Sequence, residues 1–185
     1  IIPNLEQVSY GILLWRALLQ WLGGIGIIVM AVAILPMLSI GGMQLFKTES
    51  YETPDKIIPR AAIFASGISI VYIVLTSTWA FMLWLAGMPI FDSITHAMTT
   101  LATGGYSTKS ESLGAFNSVN IEMIIVVGMI VGSLPFIHYL SILKNGWKNL
   151  INDQQVKWFL LILFFLISIV TFNLYIDCLL YTSPS

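Results

Sequence analysis

Four long stretches without one charged side chain, at residues 17–46, 61–91, 123–143 and 158–176, decide what this chain can fold into. About 20 consecutive apolar residues suffice for a helix to cross the hydrocarbon of a bilayer, and each run reaches or nearly reaches that length. Charged residues make up 9% of the chain and hydrophobic ones 57%, whereas a soluble domain carries about a quarter charged residues. The expectation is an all-α integral membrane protein with four spans, solvated by the lipid bilayer. The first two runs exceed one span, so each must tilt, break or include something other than a spanning helix.

The basic residues orient those spans. Lys47, Lys56 and Arg60 lie between the first and second runs, and Lys144, Lys148 and Lys157 between the third and fourth; Arg16 and Lys109 lie elsewhere. The positive-inside tendency then places connections 47–60 and 144–155 in the cytoplasm and residues 92–120 outside. Pro54 and Pro59 predict that the first connection is water-exposed and not a continuous helix. A net charge of −1 gives no electrostatic case for nucleic acid. The lone Cys178 supports neither a disulfide framework nor a cysteine-based metal site. No secretory signal pattern opens the chain, and Ile1 does not suit a start, so a truncated N-terminus is expected.

Between the second and third runs the pattern changes. Gly87 ends a helix begun near residue 61, Pro89 follows as a stop, and Asp92 is a candidate N-cap for a new helix over 93–101. That helix is only about 13 Å long, roughly half-way through the hydrocarbon. It runs into T-T-L-A-T-G-G-Y-S-T at 99–108. Non-helical backbone at such depth is tolerated where it is buried in protein or lines a water-filled cavity. The carbonyls of residues 102–106 are therefore candidate substitutes for the water around a cation. Glycine allows the dihedral angles this needs, and a half-helix directing its C-terminal end at the same place adds partial negative charge. Thr103-Gly104-Gly105-Tyr106 matches the Thr-Val-Gly-Tyr core of potassium-channel filters. The same letters also suit an extracellular hairpin with a Gly-Gly turn.

Larger signatures resemble one family, the TrkH/KtrB potassium transporters, and within it the TrkH-like members. They are W-R-A-L-L-Q-W-L-G-G-I-G-I-I-V at 15–29, A-I-L-P-M-L-S-I-G-G-M-Q-L-F at 33–46, L-W-L-A-G-M-P-I-F-D-S-I-T-H-A-M-T-T-L-A-T-G-G-Y-S-T at 83–108, and I-E-M-I-I-V-V-G-M-I-V-G-S-L-P-F-I-H-Y at 121–139. The resemblance covers about residues 5–176. It implies tandem helix, pore-loop, helix repeats of the potassium-channel-like superfamily, four around one pore. On that map residues 1–46 hold the inner helix that ends repeat one, 47–60 a cytoplasmic loop, and 61–143 the outer helix, pore helix, filter and inner helix of repeat two. Residues 144–155 form another cytoplasmic loop, 156–177 the first helix of repeat three, and 178–185 a non-native tail. The first filter and the C-terminal half would be missing.

Carried over by position, Gly105 resembles the filter glycine of the second repeat, flanked by Ala102, Thr103, Gly104 and Tyr106, with K⁺ bound by the backbone carbonyls of Thr103, Gly104 and Gly105. Ser107 stands where a channel filter has a second glycine. The resemblance further implies K⁺ uptake through the bacterial inner membrane, a homodimer, and a cytoplasmic TrkA/KtrA-type nucleotide-binding regulatory subunit. It implies no cofactor in this chain beyond K⁺ as the transported ion.

Other residues carry smaller expectations. His96 is expected to pack behind the filter rather than relay protons. Asp92 is an N-cap or an attractor of cations at the outer mouth, and Glu111 and Glu122 are solvated residues or part of a negative vestibule. Gly23, Gly24 and Gly26 let helices approach closely, Pro36 and Pro135 kink theirs, and the tryptophans anchor at the membrane interfaces.

Competing functions are weaker. A broken-helix secondary transporter of another small solute or cation would aim a helix N-terminus at an anionic substrate, whereas this half-helix directs its C-terminus. An enzyme would need a cluster of reactive groups, and the apolar runs hold only His138, with His96 in the half-helix. No catalytic set is expected. A homotetramer with one repeat per chain would not place the extra helix 11–46 upstream with no filter between it and the next outer helix.

Overall fold

The computed structural model describes residues 5–38, 54–146 and 153–182. Connections 39–53 and 147–152, with Lys47 and Lys148, and the last three residues of the expected tail lie outside them. The helices are α1 (Tyr10–Leu38), α2 (Pro54–Leu85), α3 (Ile90–Leu101), α4 (Val119–Ser133), α5 (Phe136–Asn145) and α6 (Gln154–Thr182), with 3-10 turns at Leu5–Gln7 and Ser112–Phe116. Among the described residues there is no strand, as expected of an all-α membrane fold.

Two expectations are corrected. The second helix begins at Pro54, not near residue 61. Pro54 takes the first helical position, where its missing N–H is not needed, and Pro59 lies early enough to forfeit a single helix hydrogen bond before the long apolar stretch takes over. The third apolar run is not one span. Leu134 is extended, with φ −78° and ψ 145°, because the residue before a proline is pushed out of the helical region. What was expected as a kink at Pro135 is a break between α4 and α5. The Tyr139 hydroxyl bridges it, donating to the Val131 carbonyl at 2.6 Å. Among the described residues three stretches are long and apolar enough to cross a membrane: Tyr10–Ile27, Ala65–Leu85 and Gln154–Ile176. At Pro36, by contrast, α1 simply continues to Leu38.

Contacts divide the chain into two units, residues 1–140 and 141–185. The second contains α6, with large apolar side chains exposed from Trp158 to Ile176, the surface such a helix offers to lipid or to other helices. The first is built around α3, nine of whose 12 residues are buried. Its core joins Ile68, Tyr72, Trp79 and Leu83 of α2 to Ala97 and Leu101 of α3, Ile121 and Ile125 of α4, and Phe136 of α5. The turn into α3 is set by Gly87 at φ +96°. There the Gly87 and Met88 amides return to the Trp84 and Leu83 carbonyls, a closure that needs a left-handed residue and so favours glycine.

Small residues bring α1 and α4 against the end of α3. A Cβ added to Gly132 would lie 3.0 Å from the Leu101 carbonyl oxygen, and one added to Gly24 would lie 3.3 Å from the Ala102 Cβ. Gly23 and Gly26 meet nothing within 4 Å, so of the three expected packing glycines on α1 only Gly24 serves. Two tryptophans also depart from expectation. Trp21 donates through Nε1 to Thr76 Oγ1 at 3.0 Å and Trp79 to the Ile124 carbonyl at 2.9 Å, tying helices together inside the unit, while Trp15, Trp84 and Trp158 are exposed as anchors would be.

Gly132→Ala in the complete protein should lower stability by about 1–3 kcal/mol through overpacking against fixed backbone, and Gly23→Ala should change it by less than about 1 kcal/mol. Thermal unfolding in detergent compares the two, and equal midpoints would contradict this packing.

Candidate ion-filter site

Helix α3 starts one turn earlier than the sequence predicts. Pro89 precedes its first residue, and Asp92 lies within the first turn rather than at the N-cap, where its charge still complements the helix dipole. Asp92 is buried and its Oδ1 accepts a 2.6 Å hydrogen bond from Thr108 Oγ1. It therefore neither caps the helix nor faces an outer mouth.

At the other end the chain turns sharply. The Thr103 amide returns to the Thr100 carbonyl and the Gly104 amide to the Thr99 carbonyl, at 3.0 and 2.7 Å. This closure puts Thr103 at φ +53°, a left-handed position where glycine is the usual occupant and a β-branched residue is strained. Gly105 follows at φ +67°, a dihedral angle glycine adopts without that cost. Residues 104–107 have no regular secondary structure.

Three side chains of α3 hold this segment from behind. Asp92, His96 and Thr99 share one helix face at i, i+4 and i+7, and they engage Thr108, Ser107 and Tyr106 in reverse order. Thr99 Oγ1 donates to the Tyr106 carbonyl at 2.9 Å. His96 bonds the Asp92 carbonyl through Nδ1 at 2.8 Å and Ser107 Oγ through Nε2 at 3.0 Å. A carbonyl only accepts, so Nδ1 carries a proton, and in the neutral ring Nε2 accepts from the Ser107 hydroxyl. That hydroxyl in turn accepts from the Lys109 amide at 3.1 Å. His96 is thus a buried packing and hydrogen-bonding residue, as expected. Ser107, noted in the sequence only as a missing glycine, is a tie point.

The carbonyls differ along the segment. Tyr106 has its oxygen bonded to Thr99, whereas the carbonyls of Thr103, Gly104 and Gly105 accept no hydrogen bond among the described residues. Thr103, Gly105 and Tyr106 are exposed, Gly104 is half-buried and Ala102 is buried. The segment forms one wall of a cavity of about 330 Å³ shared with α3 and α4. Thr103 also borders a second cavity of about 430 Å³, lined by Gln20 and Gly24 of α1 and Gly132 of α4. Among the described residues no three His, Cys, Asp or Glu side chains gather to hold a metal ion.

Two residues of α1 reach the same segment and were not singled out from sequence. The Arg16 guanidinium lies over the Tyr106 ring, 5.0 Å from its centroid, and the Gln20 side chain packs on Gly104, with Nε2 2.8 Å from where a Cβ would sit. Farther out, Glu6 accepts from the Ser110 amide at 3.0 Å and from its hydroxyl at 2.6 Å. Those bonds hold the Glu6 carboxyl down at about 2. Glu111 and Glu122 are exposed.

The sequence matches the TrkH cation transport protein family over residues 1–182. The chain belongs to this family. It is 42% identical to the Trk system potassium uptake protein TrkI of Halomonas elongata over 92% of the chain. It is 38% identical to TrkH, a Trk system potassium uptake protein of Escherichia coli, over 93% of the chain. The match covers 35% and 36% of those two proteins, so the chain spans little more than a third of their length. The crystal structure of the potassium transporter TrkH from Vibrio parahaemolyticus shares the fold, with TM-score 0.79 and 37% identity over 100% of this chain and 37% of the other. The all-helical membrane architecture expected from the apolar runs, and the family resemblance, are both borne out.

Thr108→Val removes the donor to buried Asp92 and should destabilise the complete protein by about 1–3 kcal/mol, the cost of an unsatisfied buried group. Thr108→Ser should retain most of that stability. Unfolding midpoints in detergent test the pair, and a Val variant as stable as wild type would contradict the tie.

Proposed function

We propose that this chain supplies one filter strand of a potassium-uptake pore. The observation that carries the reading is the run of three consecutive carbonyls, Thr103, Gly104 and Gly105, with no donor among the described residues, in a chain whose described helices expose many large apolar side chains. Backbone oxygens at membrane depth need partners, and a desolvated monovalent cation is one that a row of carbonyls suits. The names of the relatives, potassium uptake proteins, supply the ion.

On this reading α1 is the inner helix that ends a first repeat, and α2, α3, residues 102–108 and α4–α5 are the outer helix, pore helix, filter and inner helix of a second. Helix α6 opens a third, and other repeats supply the remaining filter strands. Residues 47–60, which include the first turns of α2, and residues 144–155 lie on the cytoplasmic side, and residues 178–185 are not part of the pore. The protein works in a bacterial inner membrane as a homodimer with a cytoplasmic TrkA/KtrA-type regulatory subunit. It moves ions and catalyses no covalent chemistry. A transporter of another solute built on a broken helix is less well supported, because α3 turns its C-terminal end, the end that favours cations, toward the irregular backbone.

The complete protein should restore growth on low potassium to an uptake-deficient bacterium. Gly105→Ser puts a side chain at φ +67° and should cut K⁺ over Na⁺ discrimination at least about tenfold, equivalent to about 1.4 kcal/mol. Unaltered discrimination in a normally accumulating Gly105→Ser protein would remove Gly105 from the filter.

A further inference from the structure

One helix face of α1 is turned to the candidate filter segment. Arg16 and Gln20, four residues and about one turn apart, lie on the same side of that helix. Arg16 stacks on Tyr106, and Gln20 packs against Gly104. Between the two contacted residues sits Gly105. A guanidinium within an apolar spanning stretch is costly and persists where something in the protein engages it; Arg16 falls inside the Tyr10–Ile27 stretch. What engages it is an aromatic face, and guanidinium groups prefer such faces because they are planar and weakly hydrated.

The two sides of the segment are held differently. Behind it, α3 fixes Tyr106, Ser107 and Thr108 by hydrogen bonds. Nothing comparable from α3 reaches the ring of Tyr106, a residue 48% exposed, or the open carbonyls of Thr103, Gly104 and Gly105. The contacts that complete the cradle come from α1, upstream of α2.

We propose that Arg16 is a positioning residue of the filter: stacked on the Tyr106 ring, and seconded by Gln20 against Gly104, it sets the spacing of the carbonyls between them and so tunes which monovalent cation is accepted. The inference rests on the filter reading given above. It adds that selectivity in this strand is set partly from the helix of the preceding repeat, through a contact that touches no ion. Arg16 acts through the aromatic face. Its charge is engaged there rather than at an ion path, so removing Arg16 loosens the strand more than it alters the electrostatic attraction of cations.

The test measures Rb⁺ uptake and its inhibition by Na⁺ in cells making the complete protein, with membrane amounts quantified. Arg16→Met and Tyr106→Leu should each lower Rb⁺ over Na⁺ discrimination about threefold to tenfold, the range a cation–π contact supports. The double variant should be no worse than either single one, and Arg16→Lys should recover at least half of the loss on a logarithmic scale. The proposal is overturned if Arg16→Met accumulates normally with wild-type discrimination. It is equally overturned if the two single effects multiply in the double variant. Should Arg16→Met fail to accumulate, Tyr106→Leu decides alone, and wild-type discrimination there overturns the proposal. A wild-type protein that takes up no Rb⁺ defeats the transport reading itself. One that takes it up, with discrimination indifferent to residue 16, defeats only the positioning role.

Discussion

A peptide carbonyl in a membrane has to find a partner, and in this chain three in a row find none among the described residues. Helices satisfy their own backbone, which is why α1, α2 and α6 can each carry a long apolar stretch. The segment 103–105 lacks that solution. Its oxygens are held in an irregular conformation, by a strained Thr103 at φ +53° and by Gly105 at φ +67°, in a place where a simple helical continuation would have satisfied them. Strain of about 1–3 kcal/mol persists only where the surroundings impose it.

The surroundings do so through α3. This short helix carries Asp92, His96 and Thr99 on the face toward the segment and buries nine of its 12 residues. Its depth is fixed by close approach: Gly24 of α1 and Gly132 of α4 come near its C-terminal end because neither has a Cβ. The Asp92, His96 and Thr99 contacts then fix the chain on its way back. Every polar side chain in that ladder is paired, as a buried network requires if it is to define one conformation rather than several. Two bonds between α1 and α2, Trp21 Nε1 to Thr76 Oγ1 and the Tyr72 hydroxyl to the Trp21 carbonyl, hold the flanking helices that keep α3 in place.

Much of this was legible in sequence because it depends on length and local chemistry. Three of the four uncharged runs marked spanning helices, Gly87 and Pro89 marked the turn, and the shortness of the next helix followed from the Gly-Gly pair. What was not legible depended on tertiary placement. Pro54 and Pro59 read as loop signals, yet proline is harmless in a first turn and costs little in the second. Pro135 read as a kink, and its effect on Leu134 turned that into a break. Asp92 read as a cap because its partner, Thr108, lies 16 residues away. Arg16 and Gln20 were passed over because their partners are on a different helical hairpin. The spacing of Asp92, His96 and Thr99 on one face was visible, and it was the one signal that a polar ladder was to be built there.

The account turns on where the oxygens of Thr103, Gly104 and Gly105 point once every strand of the proposed pore is assembled. An experimental structure of the complete protein grown in thallium or rubidium, with anomalous scattering to locate the ion, measures this directly. The account predicts an anomalous peak beside those three residues, within coordination distance of their carbonyls. Carbonyls turned into packed protein, with no peak along residues 103–105 in a crystal that holds the ion elsewhere, would contradict it.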